Sequence, residues 1–293
     1  MGDNVSRPRA QRQTRGYTPP TNMNYELGII GAGNMAEAIA RGVMNKNVLR
    51  ADQIISADVS PQRRELFGNE LKIKAVEDNL EAARNAKVIL LSVKPQMMAA
   101  ALAGIGKATD PARTLVVSIA AGISTAFIER SLNAGRPWRV VRTMPNTPML
   151  VGEGMVAMCP GAHATAADMA SARRLFEAAA DVIEVTEDRL DTVTAVSGSG
   201  PAYFFYLVEQ MIKAGVELGL TQQQAELLAK KTAAGAAKML SSSADTPEVL
   251  RRKVTSPGGT TEAAITHMTR SGWPQITIDA IKAAERRGKE LGQ

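Results

Sequence analysis

From Tyr25 onward the apolar positions come in short unbroken runs separated by stretches of helical spacing. Y-E-L-G-I-I, Q-I-I-S-A-D, K-V-I-L-L-S-V-K-P, T-L-V-V-S-I-A-A-G and W-R-V-V-R-T-M-P-N-T-P read as strands. Runs without alternation predict strands buried on both faces, which is the signature of a parallel sheet covered by helices. Between the first two strands, N-M-A-E-A-I-A-R-G-V-M predicts a helix. After the second, S-P-Q-R-R-E-L-F predicts another, with Ser60 as its cap and Pro61 in first position. Residues 165–180 predict a helix and D-V-I-E-V a last strand. Beyond Glu187 no strand pattern remains. Residues 188–240 carry helical spacing, Thr246-Pro247-Glu248 starts a further helix, and residues 260–290 predict two more, interrupted at Ser271-Gly272. The expected organisation is an α/β Rossmann-type domain over 25–186 followed by an all-α domain over 187–293, with residues 1–24 outside both.

Composition narrows the chemistry. The 293 residues are 45% hydrophobic, enough for one large domain or two ordinary ones. No run of 18 apolar residues occurs, so no membrane span is expected. Cys159 is the single cysteine, which excludes an internal disulfide and fits a reducing, cytoplasmic setting. With only His163 and His267, neither a histidine-rich metal site nor a Ser-His-Asp triad is expected. Arg7, Arg9, Arg12 and Arg15 against Asp3 give residues 1–24 a charge of +3, half of the chain's +6. The body is close to balanced, so nucleic-acid binding is not expected. The basic tail lacks the apolar core of a secretory signal and reads as disordered. Its start also matches a myristoylation pattern, Gly2 to Ser6, and a transit peptide is the other alternative for it.

Two segments have the form of anion cradles. Gly31-Ala32-Gly33-Asn34-Met35-Ala36 fits G-x-G-x-x-A between a strand and a helix. Gly31 permits a tight turn, Gly33 leaves room for a pyrophosphate, and Ala36 allows close helix–strand packing. The helix start offers free N–H groups and partial positive charge. Asp58, 22 residues past Ala36, stands where a carboxylate meets the ribose of NAD. Ser60, Arg63 and Arg64 follow it and could instead hold the 2′-phosphate of NADP, or the arginines could form a solvated helix face. The second segment is Val254 to Ile265, V-T-S-P-G-G-T-T-E-A-A-I. Gly258 and Gly259 are free to turn consecutive N–H groups toward one point at the start of a helix. A substrate carboxylate would fit there, beside the Thr261 hydroxyl. An ordinary capped loop is the other reading of this stretch. S-G-S-G-P-A-Y, Ser197 to Tyr203, is equally ambiguous between binding and close backbone packing.

G-A-G-N-M-A, L-S-V-K-P, S-I-A-A-G, R-T-M-P-N-T-P, A-V-S-G-S-G-P-A-Y and T-S-P-G-G-T-T-E-A occur in this order from about residue 25 to 290. In this the chain resembles the pyrroline-5-carboxylate reductases. The resemblance implies NAD(P)H-dependent reduction of a cyclic imine to L-proline, with NADPH as reductant and NADH as the alternative, and no metal. It implies a helical domain that interlocks with a second copy, so that the active site forms at a homodimer interface, and further assembly such as a decamer. Carried over by motif, Ala32, Asn34, Met35, Asp58, Asn79, Val93, Lys94, Pro95 and Ala121 join the glycine loop along the cofactor. Glu187, Ser256, Gly258, Gly259, Thr260 and Thr261 surround the substrate, with Thr261 as the catalytic candidate at the ring nitrogen. Two positions depart from the family. Asp58 stands where a small or serine-like residue is common, and Ala244 where the glutamate of E-x-x-P often stands, three residues before Pro247. The competing readings are a β-hydroxyacid dehydrogenase, whose chemistry would fall to Lys213, a related imine reductase, and a non-enzymatic dinucleotide-binding redox sensor.

Overall fold

The computed structural model describes residues 23–132 and 136–291. Residues 1–22 of the expected tail lie outside them. Eight strands form one sheet: β1 (Tyr25–Ile30), β2 (Ile54–Ala57), β3 (Lys74–Val76), β4 (Ala86–Leu91), β5 (Leu115–Ser118), β6 (Arg139–Pro145), β7 (Gly154–Pro160) and β8 (Ala180–Glu184). Their spatial order is β3-β2-β1-β4-β5-β6-β7-β8. Every neighbouring pair is parallel except β6–β7, which runs antiparallel with Met144 opposite Ala157.

The helices of this half are α1 (Asn34–Asn45), α2 (Pro61–Glu65), α3 (Asn79–Arg84), α4 (Met98–Leu102), α5 (Ile105–Ala108), α6 (Thr125–Leu132) and α7 (Ala166–Phe176). Successive residues of a strand feed opposite layers. Leu27 and Ile29 of β1, Leu90 of β4 and Val117 of β5 pack with α1 and α7. Ile30, Ile89, Leu91 and Val116 pack on the other face with α3, α4, α5 and α6. This is why the strands read as continuous apolar runs.

Three expectations need correction. The sheet is not wholly parallel, because β7 enters as an unpredicted antiparallel strand. The three-residue β3 was not expected either. The helix expected over 165–180 stops at Phe176, and β8 starts at Ala180, because Gly154 at the head of β7 pairs with Ala180 and draws that residue into the sheet.

After β8 the chain is helical: α8 (Leu190–Val193), α9 (Gly200–Glu217), α10 (Gln222–Ser242), α11 (Pro247–Lys253), α12 (Thr260–Arg270) and α13 (Trp273–Leu291). Thr221 caps α10 in a capping box with Gln224, and Thr246 with Pro247 starts α11. This half has almost no core of its own. Between Glu187 and Glu290 only Leu190, Ala195, Gly200, Ala225 and Ala229 are buried. Phe204, Phe205, Tyr206, Leu218 and Leu227 are each at least 65% exposed. Leaving that much large apolar surface in water is costly, so these helices need a covering partner.

Candidate active site at the strand ends

The first cradle forms where β1 runs into α1. Gly31 adopts φ +93°, and a Cβ there would lie 2.7 Å from the Ser92 carbonyl, so only glycine fits. Gly33 is the N-cap of α1, in extended backbone and with no side-chain cap. A Cβ on it would meet nothing within 4 Å. The cradle is therefore open on the side where α1 presents its unpaired first-turn N–H groups. Ala36 is fully buried against the sheet. These features fit a pyrophosphate at this position.

Beside the cradle lies a cleft of about 350 Å³. It sits where the strand order departs outward from β1 and β4, the usual ligand position in such sheets. Gly33, Asn34, Met35, Val93, Lys94, Pro95 and Ala121 line it, seven of the residues expected along the cofactor. Gly31, Ala32, Ala36, Asp58 and Asn79 do not line it. Asp58 reaches it through Ala32, whose N–H it accepts at 2.7 Å. Asn79 opens α3, three residues past Val76, whose carbonyl accepts the Asp58 N–H.

The sequence reading assigned no site role to Met144, Pro145, Asn146, Thr147 or Gly198, which also line the cleft. Asn146 is nearly buried and is bonded through both its amide nitrogen and its oxygen. Its amide donates to Ser197 Oγ at 3.1 Å and its carbonyl accepts from Met155 N–H at 2.9 Å. It thereby ties the end of β6 to a π-helical turn, Thr194–Gly198, closed also by the Tyr203 hydroxyl donating to the Ala195 carbonyl. The only advance signal was that both segments belonged to recognised motifs.

Glu187 lies at the join between the two halves. One carboxylate oxygen accepts Thr125 N–H at 2.7 Å, and the other accepts the Thr125 hydroxyl at 2.8 Å. Thr125 starts α6, so the carboxylate also complements that helix end. The Arg142 guanidinium, with 7% of its side chain exposed, bridges Glu187 at 3.3 Å and Asp191 at 3.4 Å. Arg142→Ala should destabilise the protein by about 2 kcal/mol, below the usual cost of breaking a buried pair because both carboxylates keep contact with water. Urea denaturation monitored by circular dichroism measures it, and an unchanged midpoint would contradict the bridging role.

The second cradle opens α12. Gly258 has φ +70°, and a Cβ on Gly259 would lie 2.6 Å from Ser256 Oγ. The positive φ favours glycine at Gly258, whereas a side chain at Gly259 would require Ser256 to turn away. The N–H groups are allotted differently from the sequence reading. Gly258 N–H donates to Glu262 Oε2 at 2.7 Å, and Gly259 N–H to the Ser256 carbonyl. The donors left for an anion are the N–H groups of Thr260, Thr261 and Glu262, which no intrahelical carbonyl reaches, together with the two threonine hydroxyls. Thr261 is half-buried and Thr260 exposed. The adjoining groove, about 430 Å³, shares no residue with the cofactor cleft. Within one chain none of Ser256, Gly258, Gly259, Thr260, Thr261 or Glu187 lines the cofactor cleft.

Other candidate groups are poorly placed for chemistry. Cys159 is buried, and burial pushes its thiol up to about 11, so it stays protonated. Lys213 lies on the exposed face of α9, where the Glu209 carboxylate raises its pKa and holds it charged. Both features run against its use as the neutral base a hydroxyacid dehydrogenase needs. Among the described residues no group of three or more His, Cys, Asp or Glu could hold a metal, and no helix is long and apolar enough to cross a membrane.

Residues 187–291 match the family described as pyrroline-5-carboxylate reductase dimerisation, and residues 26–122 match NADP oxidoreductase coenzyme F420-dependent. The pyrroline-5-carboxylate reductase of Pseudomonas aeruginosa is 43% identical over 91% of this chain and 97% of its own. That of Synechocystis is 38% identical over 92% of this chain and all of its own. The crystal structure of Plasmodium falciparum pyrroline carboxylate reductase with NADP bound superposes with a TM-score of 0.81, at 28% identity over 93% of this chain and all of that one.

Proposed function

The chain belongs to the pyrroline-5-carboxylate reductase family, and from that premise we propose how its own residues carry the reaction. The enzyme reduces 1-pyrroline-5-carboxylate to L-proline, the last step of proline biosynthesis, with NADPH as reductant. The observation that carries the residue assignment is the pair of glycine-led helix starts, α1 at Gly33 and α12 after Gly258-Gly259.

Bound NADPH supplies the hydride. The chain must hold its pyrophosphate, hold the substrate carboxylate, and deliver one proton to the ring nitrogen, so that two electrons and two hydrogens convert C=N to CH–NH. The N–H groups at the start of α1 take the pyrophosphate. Those of Thr260, Thr261 and Glu262 take the substrate carboxylate. A cyclic imine is basic enough to be protonated before hydride arrives, so little acid–base machinery is required. This suits a chain with only two histidines, and proximity and orientation supply most of the rate. The Thr261 hydroxyl orients the ring nitrogen and relays its proton.

The substrate cradle of one chain serves the cofactor cleft of another. This reading is supported by the separation of the two clefts within one chain, the bare apolar faces of α9 and α10, and the match to a dimerisation family. Dimers assemble further, a decamer being the expected form, and the enzyme works in the cytoplasm.

Thr261→Ala should lower kcat at least tenfold while NADPH affinity stays within twofold, and Thr261→Ser should recover most of the loss. Steady-state kinetics with a parallel NADPH titration decide it. Undiminished turnover in Thr261→Ala would remove the hydroxyl from the mechanism.

A further inference from the structure

We propose that Asp58 sets the cofactor ratio of this enzyme: its carboxylate bonds the adenosine ribose hydroxyls, admits NADH, and holds down the affinity for NADPH. The inference rests on the reductase reading and assigns the selectivity of its cofactor site.

The Asp58 carboxylate is fixed in place at the mouth of the first cradle. One oxygen accepts Ala32 N–H at 2.7 Å and the other Ser60 N–H at 2.8 Å. Each oxygen keeps a lone-pair direction for a further hydroxyl donor. A dinucleotide whose pyrophosphate sits on α1 brings its adenosine ribose toward the end of β2, where Asp58 stands. A 2′-hydroxyl donates to this carboxylate, whereas a 2′-phosphate meets it as a like charge.

An NADP site offsets such repulsion with free cations. Here the nearby arginines are already committed. Arg63 donates its Nε to the Ala32 carbonyl and a second nitrogen to Glu37 at 2.9 Å, with its guanidinium 5.8 Å from the Phe67 ring centroid. Arg64 donates to the Asp58 carbonyl at 2.8 Å and pairs with Glu77 at 3.4 Å. Both guanidinium side chains are only 23% exposed, so neither forms a solvated helix face. Glu37 is also held by Arg41, which reaches Glu70. Burial pushes the Glu37 carboxyl up, but the hydrogen bonds from Arg63 and Arg41 overcome this and hold it below its ordinary value. It therefore stays charged at neutral pH. Three guanidinium groups thus face four carboxylates, counting Asp58. Such a patch is a poor receptor for a dianionic phosphate and a good one for a neutral diol.

The test is an equilibrium titration of the full-length oligomer with NADH and NADPH, without pyrroline-5-carboxylate, for wild type, Asp58→Ser and Asp58→Asn. The asparagine variant removes the charge at nearly the same volume but keeps only one acceptor for the Ala32 and Ser60 N–H groups, the serine variant removes the carboxylate altogether, and a thermal melt of each shows that the fold is retained. The expected result is that the ratio Kd(NADH)/Kd(NADPH) rises at least fivefold in either variant. A smaller shift in both would overturn the assignment. The two readings fail differently. A wrong reductase assignment leaves both cofactors bound with no substrate-dependent oxidation, whereas a wrong Asp58 assignment leaves turnover intact and the ratio unmoved.

Discussion

Gly33→Val should weaken NADPH binding at least a hundredfold while the melting temperature moves by only a few degrees. The two effects separate because of what surrounds this glycine. Its backbone is extended, at φ −72° and ψ −177°, which valine adopts without strain. A Cβ on it meets no atom of the protein within 4 Å. The folded chain therefore loses little beyond the N-cap preference, about 1 kcal/mol. The open space at Gly33 is where a pyrophosphate must approach the first N–H groups of α1, and a branched side chain fills it. A hundredfold loss corresponds to about 2.7 kcal/mol, the order expected for losing charge-assisted backbone hydrogen bonds. Gly31 makes the contrasting case, since a side chain there collides with the Ser92 carbonyl and should damage the fold itself. Calorimetric titration with NADPH alongside a thermal melt reads both quantities. Retained affinity in Gly33→Val would place the cofactor elsewhere.

Phe205→Asp should reduce the assembly to single chains and abolish turnover, with NADPH still bound. Phe205 lies on α9 with 70% exposure, beside Phe204 at 65%. A carboxylate on this face would be buried without a partner when a second copy docks, at a cost of several kcal/mol. The cofactor cradle lies in the sheet half, whose two core layers are complete within one chain. Binding of NADPH should therefore survive dissociation. Turnover should not, because the Thr261 cradle and the cofactor cleft are separate within a chain. Sedimentation velocity, NADPH titration and steady-state assay on one preparation give all three readouts. A monomeric variant with full activity would mean that each chain completes its own site.

The parts of this structure that were legible in the sequence are those dictated by local pattern. Leu27, Ile29, Leu90 and Val117 belong to apolar runs because both faces of the sheet are covered, and such runs announce buried strands directly. Gly31 was legible because a positive φ beside another strand admits only glycine. β7 was not legible: G-M-V-A-M-C-P starts on glycine and ends on proline, and its pairing with β6 is a tertiary choice that no local period announces. The three residues of β3 are too few to show any period.

The site divides in the same way. Glycine placement at Gly258-Gly259 marked the second cradle. The sequence could not show that Glu262 and Ser256 would take the glycine N–H groups and leave the anion to the next three donors. Arg63 and Arg64 were ambiguous as sequence, since a guanidinium a few residues past Asp58 can face a phosphate, water or a carboxylate. Their partners Glu37 and Glu77 stand 26 and 13 residues away, and only the fold selects them. Asn146 and Ser197 meet across 51 residues, beyond any local signal.

The most direct test of the account follows NADPH and NADH absorbance with pyrroline-5-carboxylate added to the purified oligomer. The expected result is rapid oxidation that depends on the imine and yields L-proline in equal amount. Folded, oligomeric protein that binds the dinucleotide yet oxidises neither form when the imine is added would contradict it.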